Sequence, residues 1–198
     1  MLPFSAACER NKDPILEVLR MRFAGRSQVL EIGSGTGQHA VHFAGSLSHL
    51  VWHPTEQLAY LADLTERVRL EGTPNLRPPT LLDVRQAVWP LRSVDALFTA
   101  NTLHIMSWPE VMALFHGIGN VLTPAGVLCI YGPFRYDGRY TSDSNRDFDR
   151  MLQERDPLSG LRDIGAVTAL AEQYGLRLDE DNDLPANNRL LVFVREPD

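Results

Sequence analysis

The chain has 198 residues, 44% hydrophobic and 22% charged, with 25 acidic side chains against 19 Lys and Arg and a formal net charge of −6. These are ordinary globular values for one domain, burying roughly 70% of its unfolded surface without a metal or disulfide staple, so a disordered or fibrous chain is excluded. The acidic balance argues against a general affinity for polyanions. Two cysteines, Cys8 and Cys129, make no disulfide framework, and the opening MLPFSAACERNKD turns charged before any signal-peptide core. With no run of ~18 apolar residues, the expectation is a soluble cytoplasmic protein that does not enter a membrane.

In chain order, the first element is a helical segment over about 5–24. Asp13-Pro14 reads as its N-cap and first helical position, ahead of a stripe of Ile15, Val18, Leu19 and Phe23. Short apolar runs of strand length follow: VLEI at Val29, HLVW at His49, TLL at Thr80, VDALFTA at Val94, VLCIY at Val127 and RLLVFV at Arg189. Their uniform apolarity suits strands covered on both faces. Between them, Pro109 opens a helix carrying Val111, Leu114, Phe115, Ile118 and Leu122. Another carries Ile164, Val167, Leu170 and Tyr174 and closes at Gly175. Strand–helix alternation predicts a doubly wound α/β sheet in a single domain spanning 1–198. The polar stretch 132–162 breaks the rhythm and reads as a lid-like insertion over a site.

The sharpest local pattern is Val29-Leu-Glu-Ile-Gly-Ser-Gly-Thr-Gly-Gln-His39, where an apolar strand runs through three glycines into a helix. Glycines allow the sharp turn and the close approach of a ligand, and the helix N-terminus offers free N–H groups. A dinucleotide fingerprint needs glycine where Gln38 stands, and a Walker loop needs a Lys-Ser/Thr pair that is missing. The pattern E-x-G-x-G-x-G resembles motif I of the class I S-adenosylmethionine-dependent methyltransferases.

That resemblance implies a seven-stranded, mostly parallel Rossmann-like sheet with helices on both faces. It also implies S-adenosylmethionine as cofactor and S-adenosylhomocysteine as product. Glu31, Gly33, Ser34, Gly35 and Gly37 then surround the amino-acid end of the cofactor. An acid at the end of the second strand holds the ribose hydroxyls in such enzymes; here His53 stands where the acid is expected, and either His53 or Glu56 makes that contact. Asp83 and Val84 look like the adenine site. Asn101 and His104, beyond the fourth strand, should face the cleft, since ligands of open α/β sheets bind beyond the strand C-termini. Asp95, at the other end of that strand, reads as structural. Leu122-Thr-Pro-Ala-Gly126 resembles the Leu-x-Pro-Gly-Gly turn of the superfamily, with Ala125 in place of one glycine.

Segments outside this core narrow the resemblance. Glu9-Arg10-Asn11-Lys12, Trp52 to Thr55, Tyr131 to Phe134, Ser144-Asn145, Phe148-Asp149, Gly160 to Asp163 and Leu184 to Asn188 together look like the methyltransferase-like 26 family, over Phe4 to Arg195. The resemblance names no substrate. Arg10 and Asn11, with Lys12, are candidates for the methionine carboxylate or the substrate. The insertion offers Arg135, Tyr136, Arg139, Tyr140, Asn145 and Arg162, a set suited to a small polar or anionic substrate, and Asn187 and Asn188 suggest a turn.

Methyl transfer is an in-line displacement governed by proximity and alignment. A base is needed only where a proton must leave the acceptor, and His104 is the candidate, because imidazole titrates near neutrality. Asn101 accompanies it as a catalytic candidate. His39 and His42 share a helix face without a further ligand nearby, so no metal site is expected. Basic–aromatic interleaving for nucleic acid is absent. Two other readings stay open: a non-catalytic S-adenosylmethionine-binding or partner-binding module, and a nicotinamide-dependent oxidoreductase. A cavity walled by His104, Tyr136 and Tyr140 would speak against the first; Gln38 and the lack of a clean acid after the second strand disfavour the second. The oligomeric state is not legible.

Overall fold

The computed structural model describes residues 2–197. Helix α1 (Ala6–Arg22) is capped at Ser5, whose hydroxyl accepts the Cys8 N–H. The expected start at Asp13-Pro14 is therefore corrected: Pro14 lies inside the helix. Proline there forfeits one bond, to the carbonyl of exposed Arg10, and the fully buried Ile15, Leu19 and Phe23 outweigh that loss.

There follow β1 (Gln28–Ile32), α2 (Gln38–Ser46), β2 (Val51–Glu56), α3 (Leu61–Glu71), β3 (Thr80–Leu81), β4 (Val94–Ala100), α4 (Trp108–Val121) and β5 (Leu122–Gly132). Asp95 anchors the start of β1 by accepting the Ser27 and Gln28 N–H groups, both at 2.8 Å. Helix α4 begins with a reciprocal capping box between Ser107 and Glu110, with Pro109 in its first turn. It ends one residue before Leu122, which opens β5 and is not helical, as its place in the apolar stripe had suggested.

The second strand starts at Val51, two residues later than the run HLVW suggests, and continues through polar residues to Glu56. The insertion is ordered into β6 (Phe134–Tyr136), β7 (Arg139–Tyr140), α5 (Asp143–Arg155) and β8 (Arg162–Asp163), with β7-β6-β8 forming a small sheet. Next come α6 (Ile164–Glu172), β9 (Leu176–Leu184) and β10 (Asn188–Arg195). Tyr174 lies past the end of α6, and Gly175 takes the left-handed conformation (φ +71°) expected of a helix terminator.

The main sheet has seven strands in the order β3-β2-β1-β4-β5-β10-β9, parallel except for β10, which runs antiparallel to both neighbours. Both faces are covered. Leu30, Ile32 and Leu97 pack under α4 and α6 with Phe115 and Ile118, while Val29, Trp52 and Phe98 pack under α1 and α2 with Ile15 and Phe43. The strand order reverses between β1 and β4, which run parallel side by side, placing the crevice at their C-terminal ends. No helix among the described residues is long and apolar enough to cross a membrane.

Candidate cofactor and substrate site

Gly33, Gly35 and Gly37 all hold left-handed backbone, with φ of +69°, +54° and +79°. A side chain at Gly33 would strike Thr102 at 2.6 Å, and one at Gly37 would strike Leu64 at 2.8 Å, so both are small for packing reasons. Gly35 differs: nothing lies within 4 Å of where its Cβ would be. The loop thus presents an open cradle in front of its middle glycine. Ser34 closes the turn, with its N–H donated to Thr55 O at 2.9 Å, and its buried hydroxyl has no partner among the described residues.

Two acids face this loop from one side of the sheet. Glu56 ends β2 and accepts the Gly35 N–H at 2.6 Å and the Gln57 N–H at 2.7 Å. Glu31, in register with Pro54 between Trp52 and Glu56, accepts the Trp52 indole N–H at 2.7 Å. Burial pushes the Glu31 carboxyl up to about 7, against the pull of the Trp52 indole and the nearby Ser34 hydroxyl, and the neighbouring Glu56 raises it further. His53 is not at the strand end. It pairs with Leu30, and alternation turns it to the opposite face from Glu31 and Glu56. Burial, and secondarily Arg77, lower its pKa.

Sequence reasoning missed how the N-terminal segment is tied to the loop. Arg67, buried on α3, donates to Thr36 O and to Pro3 O, both at 2.5 Å, and to Glu71 at 2.7 Å. Gln38 accepts the Ser5 N–H at 2.5 Å and donates back to Ser5 O at 3.3 Å. His39 meets Asn11 at 2.7 Å in the interior, and burial lowers it to about 4. The glutamine that spoils a dinucleotide fingerprint thus holds the leading segment, and Asn11 is committed to His39. Arg10 is exposed, and Lys12 pairs with Glu9. On β3's far side, Asp83 binds the Arg85 guanidinium and N–H, which hold its carboxyl below the usual range, and Val84 is buried.

Beyond β4, Asn101 takes φ +58° and donates its N–H to Tyr131 O. His104 is buried with its ring edge-on to Phe148 at 5.3 Å, and burial, aided by Arg162, lowers it to about 4. Arg162 is spent on backbone, donating to the carbonyls of Leu103, Met106 and Leu158 and so clasping the 103–106 loop.

Several expected substrate residues are also committed. Tyr136 donates to Asp181 and Tyr140 to Asp149, both at 2.6 Å, while Arg135 lies 5.8 Å over the Tyr140 ring. Arg139 is exposed on β7. A cavity of about 340 Å³ opens next to the β4 loop, walled by Asn101, Pro133, Ser144, Asn145, Phe148, Ala186 and Asn188. It shares Asn101 and Asn145 with the expected set, but His104, Tyr136 and Tyr140 are not on its wall. Ala186 and Asn187 adopt the left-handed turn suggested by the asparagines. Among the described residues no group of three or more His, Cys, Asp or Glu side chains is placed to hold a metal ion.

The open cradle, the Glu56 carboxylate and the Glu31 carboxyl, beside which the Ser34 hydroxyl lies, suit a ligand that pairs a positive charge with hydroxyl donors, as an adenosyl sulfonium does. A pyrophosphate suits the site poorly, because the Gly35 N–H it would take is already given to a carboxylate.

A model of the family described as "Protein of unknown function (DUF938)" matches residues 2–195. Solved structures share the fold. An O-methyltransferase family protein from Burkholderia thailandensis superposes with a TM-score of 0.81 at 15% identity, over 96% of this chain and 58% of its own. Human N-acetylserotonin methyltransferase, solved in complex with SAM, gives 0.76 at 13% over 97% and 53%. PigF, solved with SAH, gives 0.79 at 14% over 92% and 55%. The chain spans little more than half the length of these structures, and at such identities the likeness shows a Rossmann-like methyltransferase fold.

Proposed function

The chain belongs to the DUF938 family of proteins of unknown function, and from that premise we propose that it is an S-adenosylmethionine-dependent methyltransferase acting on a small polar molecule in the cytoplasm. The observation that carries the reading is Glu56 closing onto Gly35 N in front of an open glycine cradle. A carboxylate there repels phosphate and welcomes ribose hydroxyls and a sulfonium. Kinship with the methyltransferase-like 26 family is part of the proposal, supported by the motifs outside the core.

When bound, S-adenosylmethionine supplies a methyl group on a positively charged sulfur. In this reading the glycine loop takes the amino-acid end. Glu56 takes the ribose hydroxyls, and Asp83 and Val84 receive the adenine once Arg85 yields. Glu31 supplies a second carboxyl, and the N-terminal segment, held by Arg67 and Gln38, covers the loop. His104 is neutral throughout the physiological range and too weakly basic to draw a proton from a poorly acidic acceptor. Its role is to shape the pocket with Phe148, so that alignment carries the rate.

The non-catalytic alternative stays open, because the cavity beside Asn101 does not have His104, Tyr136 and Tyr140 on its wall. The nicotinamide alternative is disfavoured by Gln38, which stands where the dinucleotide fingerprint needs glycine; Glu56 at the end of β2 does not weigh against it, because dinucleotide sites also place an acid there. The test is calorimetric titration with S-adenosylmethionine, S-adenosylhomocysteine and NADH. Micromolar binding of the first two alone is expected; binding of NADH alone, or of none, overturns the reading.

A further inference from the structure

The 340 Å³ cavity has an unusual polar inventory. Asn145 is 5% exposed, and its amide nitrogen donates to Thr141 Oγ1 at 2.8 Å and to Asn187 O at 2.9 Å. A backbone carbonyl only accepts, so the carboxamide orientation is chemically determined and Oδ1 is the atom left over. It accepts no hydrogen bond among the described residues. Asn188 repeats the arrangement, its nitrogen donating to Pro185 O and Ala186 O. The Ser144 hydroxyl is shared with Ser142. No carboxylate, ammonium or guanidinium lies on the wall, and Phe148 offers a ring.

Such a wall is rich in fixed acceptors and holds no charge. The Asn101 carboxamide adds N–H donors to the wall, but no positive charge stands there to hold an anion; a cation would find no carboxylate and, if the proposed function holds, would stand beside a sulfonium. A neutral molecule with a hydrogen to give is the remaining match, because Asn145 Oδ1 opens onto the cavity as an acceptor that no described protein donor fills. We propose that the substrate recognised here is an uncharged, flat ring compound bearing an O–H or N–H donor, which gives its hydrogen to Asn145 Oδ1 and lays its ring against Phe148. The inference deepens the methyltransferase reading and rests on it for the sulfonium, whereas the uncharged acceptor wall stands on this structure alone.

Saturation-transfer NMR on the purified chain, with and without S-adenosylhomocysteine, tests it using four probes of one size: phenol, anisole, benzoate and benzylammonium. Phenol should bind, anisole about tenfold more weakly for want of one hydrogen bond, and the two ions not measurably. Asn145→Leu should abolish the preference for phenol over anisole. Should that variant fail to fold, Phe148→Leu, at a half-buried position, should weaken both neutral probes together. Equal binding of phenol and anisole, binding of either ion as tight as phenol, or no binding at all overturns the inference. Parallel calorimetry with S-adenosylhomocysteine separates the failures. Phenol bound without the nucleoside leaves the pocket standing and sinks the methyltransferase reading; the converse sinks the pocket alone.

Discussion

Replacing Glu31 by Gln tests the electrostatics of the glycine loop directly. The acid is buried, and its pKa is raised from 4.5 to about 7, mainly by loss of solvation. The folded protein therefore holds that proton more tightly than the unfolded chain does. The contribution is full below pH 4.5 and is lost as pH rises through 7. At ~1.4 kcal/mol per pH unit the whole span is worth about 3 kcal/mol, of which about 2 kcal/mol falls between pH 5.5 and 8. Glutamine keeps an oxygen for the Trp52 indole but never ionises. Urea unfolding of both proteins across that range should show the variant gaining on the wild type by about 2 kcal/mol as pH rises. His39 and His104 are present in both proteins and cancel in the difference. Parallel stability curves would refute the claim that burial sets this carboxyl's proton affinity. If the ionised form is kept for a sulfonium, the same variant, though more stable at pH 8, should bind S-adenosylmethionine more weakly by calorimetry.

Gly35→Val should leave a cooperative thermal transition, at a cost of roughly 1–2 kcal/mol for β-branched left-handed backbone, while S-adenosylmethionine binding falls beyond calorimetric detection. Full affinity in the folded variant would mean that the cradle is not the site. Ala125 sits at φ +59° where the resembling turn has glycine, so Ala125→Gly should raise stability by about 1 kcal/mol and Tm by ~2–4 °C; an unchanged or lower Tm would count against strain there. Gly117→Ala places a methyl 2.0 Å from the Trp89 ring and should cost ~1–3 kcal/mol in urea unfolding, unless the indole moves without loss. His104, lowered to about 4, contributes stability that is lost as pH falls from 6.5 towards 4. His39 is lowered to about 4 as well, so His104→Gln should remove about half of the slope of the acid limb and leave S-adenosylhomocysteine affinity within about threefold. An acid limb as steep as the wild type's would place the acid sensitivity elsewhere.

The fold was legible wherever burial on both faces writes itself as an uninterrupted apolar run: β1, β4, β5 and β10 were each anticipated within a few residues. The exceptions share a cause. Strand β9, LRLDEDNDL, lies at the sheet edge with one neighbour, so its outward side chains carry charge and no apolar signal survives. Strand β2 loses its signal where it bends toward function, since Pro54, Thr55 and Glu56 serve the loop and not the core. Helix α3 was not anticipated because it buries only Leu64 and Arg67. Helix α1 was anticipated but begun too late, because Asp13-Pro14 has the local chemistry of a start while Ser5, which caps the helix, is recognisable only from the hydroxyl-to-Cys8 contact.

At the site, spacing located the backbone and could not say which side chains remain free. The glycine loop is a conformational requirement, and three left-handed residues in five are written directly into the sequence. Which polar group answers the loop is a matter of register: a strand that runs four residues past its apolar run replaces His53 by Glu56 at the end and turns His53 to the other face. Spending is less legible still. Tyr136, Tyr140, Arg135 and Arg162 look like a binding set in one dimension, yet Asp181, Asp149, a tyrosine ring and three carbonyls claim them, and those partners lie up to 59 residues away in sequence. Asn145 gains weight for the same reason in reverse. Its nitrogen is held by Asn187, 42 residues on, and only that distant carbonyl leaves its oxygen as the fixed acceptor on the cavity wall.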